Sequence, residues 1–132
     1  MSQRITIINI RKGDTRNIND ELQWLGNSLG LFNLRDRDSS CFRVFITLVK
    51  TARQNKPLSS DEIAERLNLS RSTVIHHLER LLESGIVMKE RRGGYILRER
   101  TMESLIKDVH QDMEALFSRV QEVAKEIDEL MG

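Results

Sequence analysis

The 132-residue sequence has one cysteine, one proline and 5% aromatic residues, and no apolar run near the roughly 20 residues that cross a bilayer. The lone Cys41 excludes a disulfide framework and a thiolate-rich zinc site, so we interpret it as a small buried hydrophobe. The start, MSQRITIINIRKG, lacks the apolar core and cleavage site of a signal peptide. We therefore expect a cytoplasmic protein with no membrane partner.

The charges that are present are unevenly distributed. Residues 39–100 carry 12 Lys/Arg and 7 Asp/Glu, a net +5, whereas residues 101–132 carry 3 and 8, a net −5. Residues 1–38 are close to neutral, with 6 and 5. A basic middle segment is typical of a protein that binds a polyanion, although solvated Lys and Arg are common on any surface.

The stretch from Ser70 to Gly85, SRSTVIHHLERLLESG, predicts an amphipathic helix with both ends marked. Ser70 is a good N-cap, and Gly85 suits the left-handed residue that follows a helix. Four apolar residues share one face, while three polar residues point the opposite way, with Thr73 and Arg80 beside them. The apolar face is Val74, Leu78, Leu81 and Leu82, and the polar face is Ser72, His76 and Glu79.

Two further helices are predicted before this one. The first begins at Ser39 or Ser40, runs to about Gln54, and buries Phe42, Phe45, Ile46, Val49 and Ala52. The second follows Pro57, where Ser59 and Glu62 have the spacing of a capping box, and it ends at Asn68. Helix, short turn and helix together predict a helix-turn-helix in which Ser70–Gly85 is the recognition helix.

The residues after Gly85 predict a β-hairpin. Two β-prone runs between Ile86 and Arg98 are separated by Gly93-Gly94, with Arg91 and Arg92 at the tip. An ordinary solvated hairpin is the alternative, but the adjacent recognition helix favours a wing that contacts phosphates.

The last segment predicts a long helix with four heptads. Between Glu103 and Met131 there is no Gly or Pro, and apolar residues recur at a strict 3-4 spacing, which indicates a dimeric coiled coil. The alternative is a long helix packed on its own domain, because Phe117, Ala124 and Met131 widen the stripe; the helix that contains Trp24 is a candidate to pack there. The predicted dimerisation residues are Ile106, Val109, Met113, Leu116, Val120, Val123, Ile127 and Leu130.

The first 38 residues predict an arm. The run RITIINIR at 4–11 favours a short strand, and Asn19 is expected to cap a short helix from Asp20 to about Leu29, with Gly30 as its stop. A linker at 31–38 would be anchored by Leu31, Phe32 and Leu34.

Together these patterns predict a mainly α fold with a small β-hairpin: an arm at 1–38, a winged helix-turn-helix at 39–100 and a coiled-coil helix at 101–132. We expect a homodimeric, sequence-specific transcriptional regulator whose recognition helices enter successive major grooves of double-stranded DNA, about 34 Å apart. The alternative is a winged-helix module that binds proteins. No catalytic constellation is present, so no enzyme and no cofactor are expected, and an effector is unknown. The candidate DNA-binding residues are Ser59, Ser70, Arg71, Ser72, Thr73, His76, Arg80, Lys89, Arg91 and Arg92.

The sequence also resembles a known family. LSSDEIAERLNLSRSTVIHHLERLLESGIV followed by the basic hairpin is similar to the winged helix-turn-helix of ArsR-like regulators over residues 59–97, including a V-x-H-H-L pattern and a closing G-[IL]-V. With ELQWLGNSLGLF before it and the long last helix, residues 20–131 resemble an archaeal branch of such transcription regulators. The resemblance implies a winged helix and DNA binding.

The departures from ArsR-like sensors concern metals. These sensors often carry a CxC pair near the helix-turn-helix, and this region has none. Asp108 and His110 imitate half of another sensor site, but Gln121 and Ala124 stand where its second half would fall. Adjacent His76 and His77 project about 100° apart and cannot easily share a metal, so we expect His76 to contact DNA and His77 to pack or join a hydrogen-bond network. We therefore predict no metal site, with His110 facing solvent.

Overall fold

The computed structural model describes residues 2–14, 16–32 and 39–132. Along these residues five helices and one hairpin follow one another in the order of the sequence. They are α1 (Ile18–Ser28), α2 (Ser40–Arg53), α3 (Ser60–Leu67), α4 (Arg71–Glu83), β1 (Val87–Lys89), β2 (Tyr95–Leu97) and α5 (Met102–Met131). The mainly helical fold with a hairpin and a long final helix is as predicted.

The strand predicted at 4–11 is wrong, because residues 2–14 form no strand. The backbone N–H of Arg4 donates to the carbonyl of Glu83 at 2.9 Å, and that of Ile8 donates to Ser28 at 2.7 Å. This segment thus passes the ends of two helices, each of which offers a carbonyl without an intrahelical partner. The alternation of isoleucines could not supply the neighbouring strand that a β-strand needs.

Helix α1 begins two residues earlier than predicted. Asn17 rather than Asn19 is the N-cap, and its side-chain oxygen accepts from the backbone N–H of Asp20 at 2.9 Å. The helix ends at Ser28, with Gly30 in the left-handed region at φ 67°, as the sequence indicated. Leu31 is buried and Phe32 meets Phe42 and Phe45 edge to face, so this anchor is confirmed. The third predicted anchor, Leu34, lies outside the described residues.

The buried face of α2 is rotated from the predicted one. Phe45 and Ala52 are buried as expected, but the predicted Phe42, Ile46 and Val49 are only half-buried. Ser39 occupies the N-cap position without a side-chain capping bond, at φ 50°. The face of α2 that is closed from solvent is Cys41, Val44, Phe45, Leu48 and Ala52.

The start of α3 and the turn from α3 to α4 match the sequence closely. The Ser59 hydroxyl accepts from the Glu62 backbone N–H, and the Glu62 carboxylate accepts from the Ser59 backbone N–H, both at 3.1 Å. Hydrogen bonds to the Glu62 carboxylate, first from the backbone of Ser59 and then from its side chain, lower the pKa of Glu62. Asn68 takes the left-handed conformation at φ 55° and closes α3. Both ends of α3 therefore lie where the sequence places them.

The hairpin packs on α2 and α4 as a small sheet. Strands β1 and β2 are antiparallel, with Val87 opposite Leu97 and Lys89 opposite Tyr95. Leu58 bridges Tyr95 on the other side, donating at 3.0 Å and accepting at 2.7 Å. This bridge couples the wing to the segment before α3.

Helix α5 divides into two parts. Leu105 is fully buried and Val109 is 4% exposed, both within the core that α2, α4 and the hairpin build. Ile106 packs against the same core. From Glu114 onward every residue is exposed. The first two predicted dimerisation residues, Ile106 and Val109, therefore pack in the core of their own domain. Only the later heptads remain open to a partner.

Candidate nucleic-acid interface

The orientation of α4 is set by its buried face. Val74 and Leu81 are fully buried and Leu78 is 1% exposed, in contact with the same core as α2. Ser72 and His76 consequently face solvent, as the helical pattern predicted. The polar face of α4 is thus fixed relative to α2, α3 and the wing.

Hydroxyl groups cluster at the start of α4. The Ser70 hydroxyl accepts from the backbone N–H of Thr73 at 3.2 Å, donates to Thr73 Oγ1 at 2.7 Å, and lies 3.2 Å from Ser72 Oγ. The N-terminus of a helix carries a partial positive charge and favours anions nearby. The beginning of α4 therefore offers small donors and acceptors together with a dipole that favours phosphate.

Arg71 joins the two helices of the motif. Its Nε lies 3.3 Å from Asp61 Oδ1 of α3, and both side chains are about two-thirds exposed or more, at 68% and 76%. Such an exposed ion pair contributes little free energy because water screens it. Arg71 can therefore exchange Asp61 for a phosphate at small cost.

The two adjacent histidines have different environments, as the sequence predicted. His76 is exposed beside Ser72, whereas His77 is 7% exposed and its Nε2 lies 2.6 Å from the Ser40 hydroxyl of α2. His77 thus ties α4 to the start of α2.

Arg80 is placed apart from the other candidate residues. It is half-buried, and its guanidinium donates to the carbonyl of Gly30 at 3.4 Å, beside a small cavity that Arg4 and Glu83 also line. Its side chain is therefore drawn toward the arm, and a contact with DNA would require it to leave or share this bond.

The wing presents its basic residues at an ordered tip. Glu90 donates to Gly94 at 2.7 Å and Gly93 donates to Glu90 at 2.9 Å, with Gly93 at φ 93°. A Cβ on Gly94 would lie 2.8 Å from the Pro57 ring, so only glycine permits this close approach. The basic residues there are all exposed; Lys89 Nζ lies 5.6 Å from the centre of the Tyr95 ring, and Arg91 and Arg92 follow.

A cluster that sequence reasoning missed holds the end of the wing to α5. Arg98 binds both carboxylate oxygens of Asp112, at 2.5 and 3.3 Å, and its Nε lies 3.4 Å from Asp108. Gln3 of the arm donates to Asp112 at 2.9 Å and to the carbonyl of Ser84 at 3.2 Å. The Arg98 hydrogen bond, followed by that of Gln3, lowers the pKa of Asp112. The sequence does show two carboxylates four residues apart on α5, Asp108 and Asp112, but it does not indicate that Arg98 is their partner.

Asp108 and His110, which match half of a metal site of ArsR-like sensors, each contact another charged side chain. Asp108 faces Arg98, and His110 Nε2 lies 3.2 Å from the Glu114 carboxylate on the exposed side of α5. Across residues 2–14, 16–32 and 39–132 no group of three or more His, Cys, Asp or Glu side chains is arranged to hold a metal ion. None of the helices within these ranges is long and apolar enough to cross a membrane.

Comparisons with known proteins agree with this architecture. Residues 46–96, from the middle of α2 to β2, match a family profile described as an HTH domain. The solved structure of the ST1889 protein from the thermoacidophilic archaeon Sulfolobus tokodaii is similar with a TM-score of 0.50 and 20% identity, over 76% of this chain and 98% of that chain. A search of curated proteins found no match. The chain thus has a winged helix-turn-helix fold, and its central region is similar to the HTH domain family.

Proposed function

We propose that the protein is a sequence-specific, DNA-binding transcriptional regulator that acts as a homodimer. The observation that carries this proposal is the polar face of α4, which is held outward by a buried opposite face and flanked by a basic wing. A helix of this kind fits the major groove of B-DNA, and a neighbouring basic hairpin can contact the backbone.

In this proposal base recognition comes from the first half of α4. Ser72, Thr73 and His76 are short or planar polar side chains that can exchange hydrogen bonds with base edges. Glu79, exposed one turn later, would be repelled by phosphates and limits the approach of the second half of the helix. The reading surface is therefore the segment from Ser70 to His76.

Affinity comes from a different set of residues. Phosphate contacts position a protein on DNA without reading sequence, and Lys and Arg supply most of them. The hydroxyls of Ser59 and Ser70 stand at the N-termini of α3 and α4, where a phosphate can also meet backbone N–H groups. The proposed basic contacts are Arg71, Arg80, Lys89, Arg91 and Arg92.

The dimer would be formed by α5. Its acidic part leaves the basic domain beyond Met113, so it can pair without bringing its negative charge onto the DNA. A dimer places two recognition helices on half-sites separated by one helical repeat of DNA, about 34 Å, or by a multiple of it. Substituting Val120 by Asp buries a charge in this pairing surface, so the variant is expected to sediment as a monomer where the parent sediments as a dimer.

A salt titration tests the proposal. Duplexes selected from a random pool by the parent protein are titrated by fluorescence anisotropy between about 50 and 200 mM salt, the range over which phosphate contacts change affinity most visibly. Arg91→Ala with Arg92→Ala is expected to weaken binding to every duplex and to reduce the log–log salt slope by about 0.9 per lost contact, or about 1.8 for both.

The matched control is Arg11→Ala with Arg16→Ala, which removes the same charge from exposed positions on the arm. Its slope should stay within about half a unit of the parent value, since one lost contact changes the slope by about 0.9. Equal slopes for the wing variant and the parent would refute the role of the wing. Absence of any salt-sensitive binding at micromolar protein would favour the protein-binding module instead.

A further inference from the structure

The distal half of α5 carries an apolar stripe that no described part of the chain covers. Val120 is 56% exposed, Val123 53% and Ile127 49%, and with Leu116 and Ala124 they line a shallow apolar groove along the helix. The proximal part of the same stripe, at Ile106 and Val109, packs in the core of the domain. The stripe thus continues the domain's own core outward onto a free surface, from Met113 to Met131.

The two flanks of this stripe differ in chemistry. One flank, in heptad position e, is apolar and consists of Phe117, Ala124 and Met131. The other, in position g, is charged and consists of Asp112, Arg119 and Glu126, of which Asp112 already binds Arg98. Side chains at e and g determine how coiled-coil helices choose partner and orientation, because they face each other across the seam.

Whether two α5 helices pair parallel or antiparallel determines which flank of one helix faces which flank of the other. In a parallel pair each g residue faces an e residue of the other helix, so Arg119 would meet Ala124 and Glu126 would meet Met131. In an antiparallel pair g faces g and e faces e, so charged groups meet charged groups and apolar groups meet apolar groups. The antiparallel arrangement therefore avoids setting Arg119 and Glu126 against apolar side chains, a contact that costs free energy when solvent is excluded.

One antiparallel register also matches the charges. If Val120 of one copy lies opposite Val123 of the second, then Leu116 meets Ile127, and Arg119 of each copy faces Glu126 of the other. Phe117 then packs against Ala124, a large residue against a small one. Moving the register by one heptad in either direction sets Arg119 against Arg119 or Glu126 against Glu126, and like charges at close range repel.

We propose that the segment from Met113 to Met131 docks antiparallel on the same segment of a second copy, in the register that sets Val120 opposite Val123. This rests on the homodimer of the proposed function and adds its orientation and its paired residues. With a rise of about 1.5 Å per residue, the buried Leu105 of one copy lies about 50 Å along the axis from that of the other. The two winged domains therefore stand at opposite ends of the paired helices.

Cysteine substitutions distinguish the orientations. Leu116→Cys and Ile127→Cys are oxidised separately and after mixing, with one variant tagged so that the mixed disulfide dimer is identified on a non-reducing gel. The proposal predicts the mixed dimer alone, because the two thiols in a Leu116→Cys homodimer would lie about 16 Å apart along the axis, beyond the reach of a disulfide. The parent is the control for Cys41, which is fully buried, and mixing Leu116→Cys with Val120→Cys is the control for register.

Charge exchange tests the same register without cross-linking. Arg119→Glu sets acid against acid and Glu126→Arg sets base against base in each homodimer, whereas their mixture restores two opposite-charge pairs. Sedimentation should show the mixture associating about tenfold more tightly than either variant alone. That factor corresponds to about 1.4 kcal/mol over two exposed pairs and the repulsions they replace.

The outcomes separate this inference from the proposed function. Disulfide formation by Leu116→Cys alone shows a parallel pair and overturns the inference, and so does a mixture no tighter than its components. A monomeric parent overturns both the inference and the homodimer, while salt-sensitive DNA binding by that monomer would leave the DNA-binding role standing. If the mixed disulfide forms but the parent protein shows no DNA binding, only the proposed function is refuted.

Discussion

Replacing Asp112 by Asn should loosen the contact that fixes the wing and the arm to α5. The Asp112 carboxylate accepts from two nitrogens of Arg98, at 2.5 and 3.3 Å, and from Gln3 at 2.9 Å. Asn keeps the size of the side chain but loses its charge and one acceptor. The substitution therefore tests the ion pair rather than the packing.

The magnitude follows from partial burial. Hydrogen bonds to charged groups contribute about 1.5–3 kcal/mol when buried, and exposed ion pairs contribute about 0–1 kcal/mol. The Arg98 and Asp112 side chains are 30% and 23% exposed, between these limits. We expect the free energy of unfolding to fall by about 1–2 kcal/mol at pH 7.

The pH dependence gives a second, independent readout. The pKa of Asp112 is below its ordinary value of 3.8 in the folded protein, so its contribution is fully present well above pH 3.8 and is lost as the pH falls through the lower folded-state pKa. The difference between parent and variant should therefore be constant between about pH 5 and 7 and shrink below about pH 3.8. The hydrogen bond with Asp108 raises the pKa of Glu99, so the contribution of Glu99 to stability has the opposite pH dependence. Because Glu99 is present in both parent and variant, it does not enter the difference between them.

Urea denaturation followed by the fluorescence of the single Trp24 measures the effect. Trp24 donates to the carbonyl of Ile10 at 3.1 Å and reports on the arm that Gln3 helps to hold. Protein concentration must be equal throughout, because the proposed dimerisation would add to apparent stability. Asp128→Asn, at an exposed position near the end of α5, is the matched control and should change the unfolding free energy by less than about 0.5 kcal/mol. Equal effects of the two substitutions, or a difference that persists unchanged in acid, would refute the assigned contact.

Two other substitutions test the scaffold. Ser59→Ala removes the hydroxyl that caps α3 and should lower the free energy of unfolding by about 1 kcal/mol in the same titration; Ser59→Asp, which can still cap, should preserve it. Leu105→Ala leaves a cavity where α5 enters the core and should lower the free energy of unfolding by about 2–5 kcal/mol. Leu130 is 87% exposed, so Leu130→Ala should leave the free energy of unfolding of the isolated monomer unchanged within about 0.5 kcal/mol. Similar losses for the two leucines would contradict the division of α5.

Local signals predicted the helix-turn-helix well because each of its boundaries is determined by neighbouring residues. The capping box at Ser59, the left-handed Asn68 and the N-cap Ser70 depend on side chains within three positions and need no distant partner. The rotation of α4 followed from its apolar spacing for the same reason. In the candidate interface, the exposure of Ser72, His76 and the wing arginines was correctly predicted.

The errors in the arm and among the arginines arise because a residue distant in sequence determines the contact. The arm has the alternation of a strand, yet its backbone donors meet the ends of α1 and α4, which are far away in sequence. Arg80 in α4 and Arg98 after β2 are both basic residues of the winged domain, but Arg98 binds Asp108 and Asp112 while Arg80 donates to Gly30. Side-chain type did not distinguish an arginine that stabilises the fold from one that is exposed for binding.

The heptads of α5 show the same distinction within one helix. Periodicity states which face of a helix is apolar but not what covers that face, and the same 3-4 spacing runs from Ile106 to Leu130. In the first part the covering surface is the domain itself, against which Ile106 and Val109 pack. In the second part the spacing is equally regular, while the flanks become asymmetric, apolar on one side and charged on the other. That asymmetry has no function on a helix that remains in solvent, and the antiparallel pairing that we propose would satisfy it.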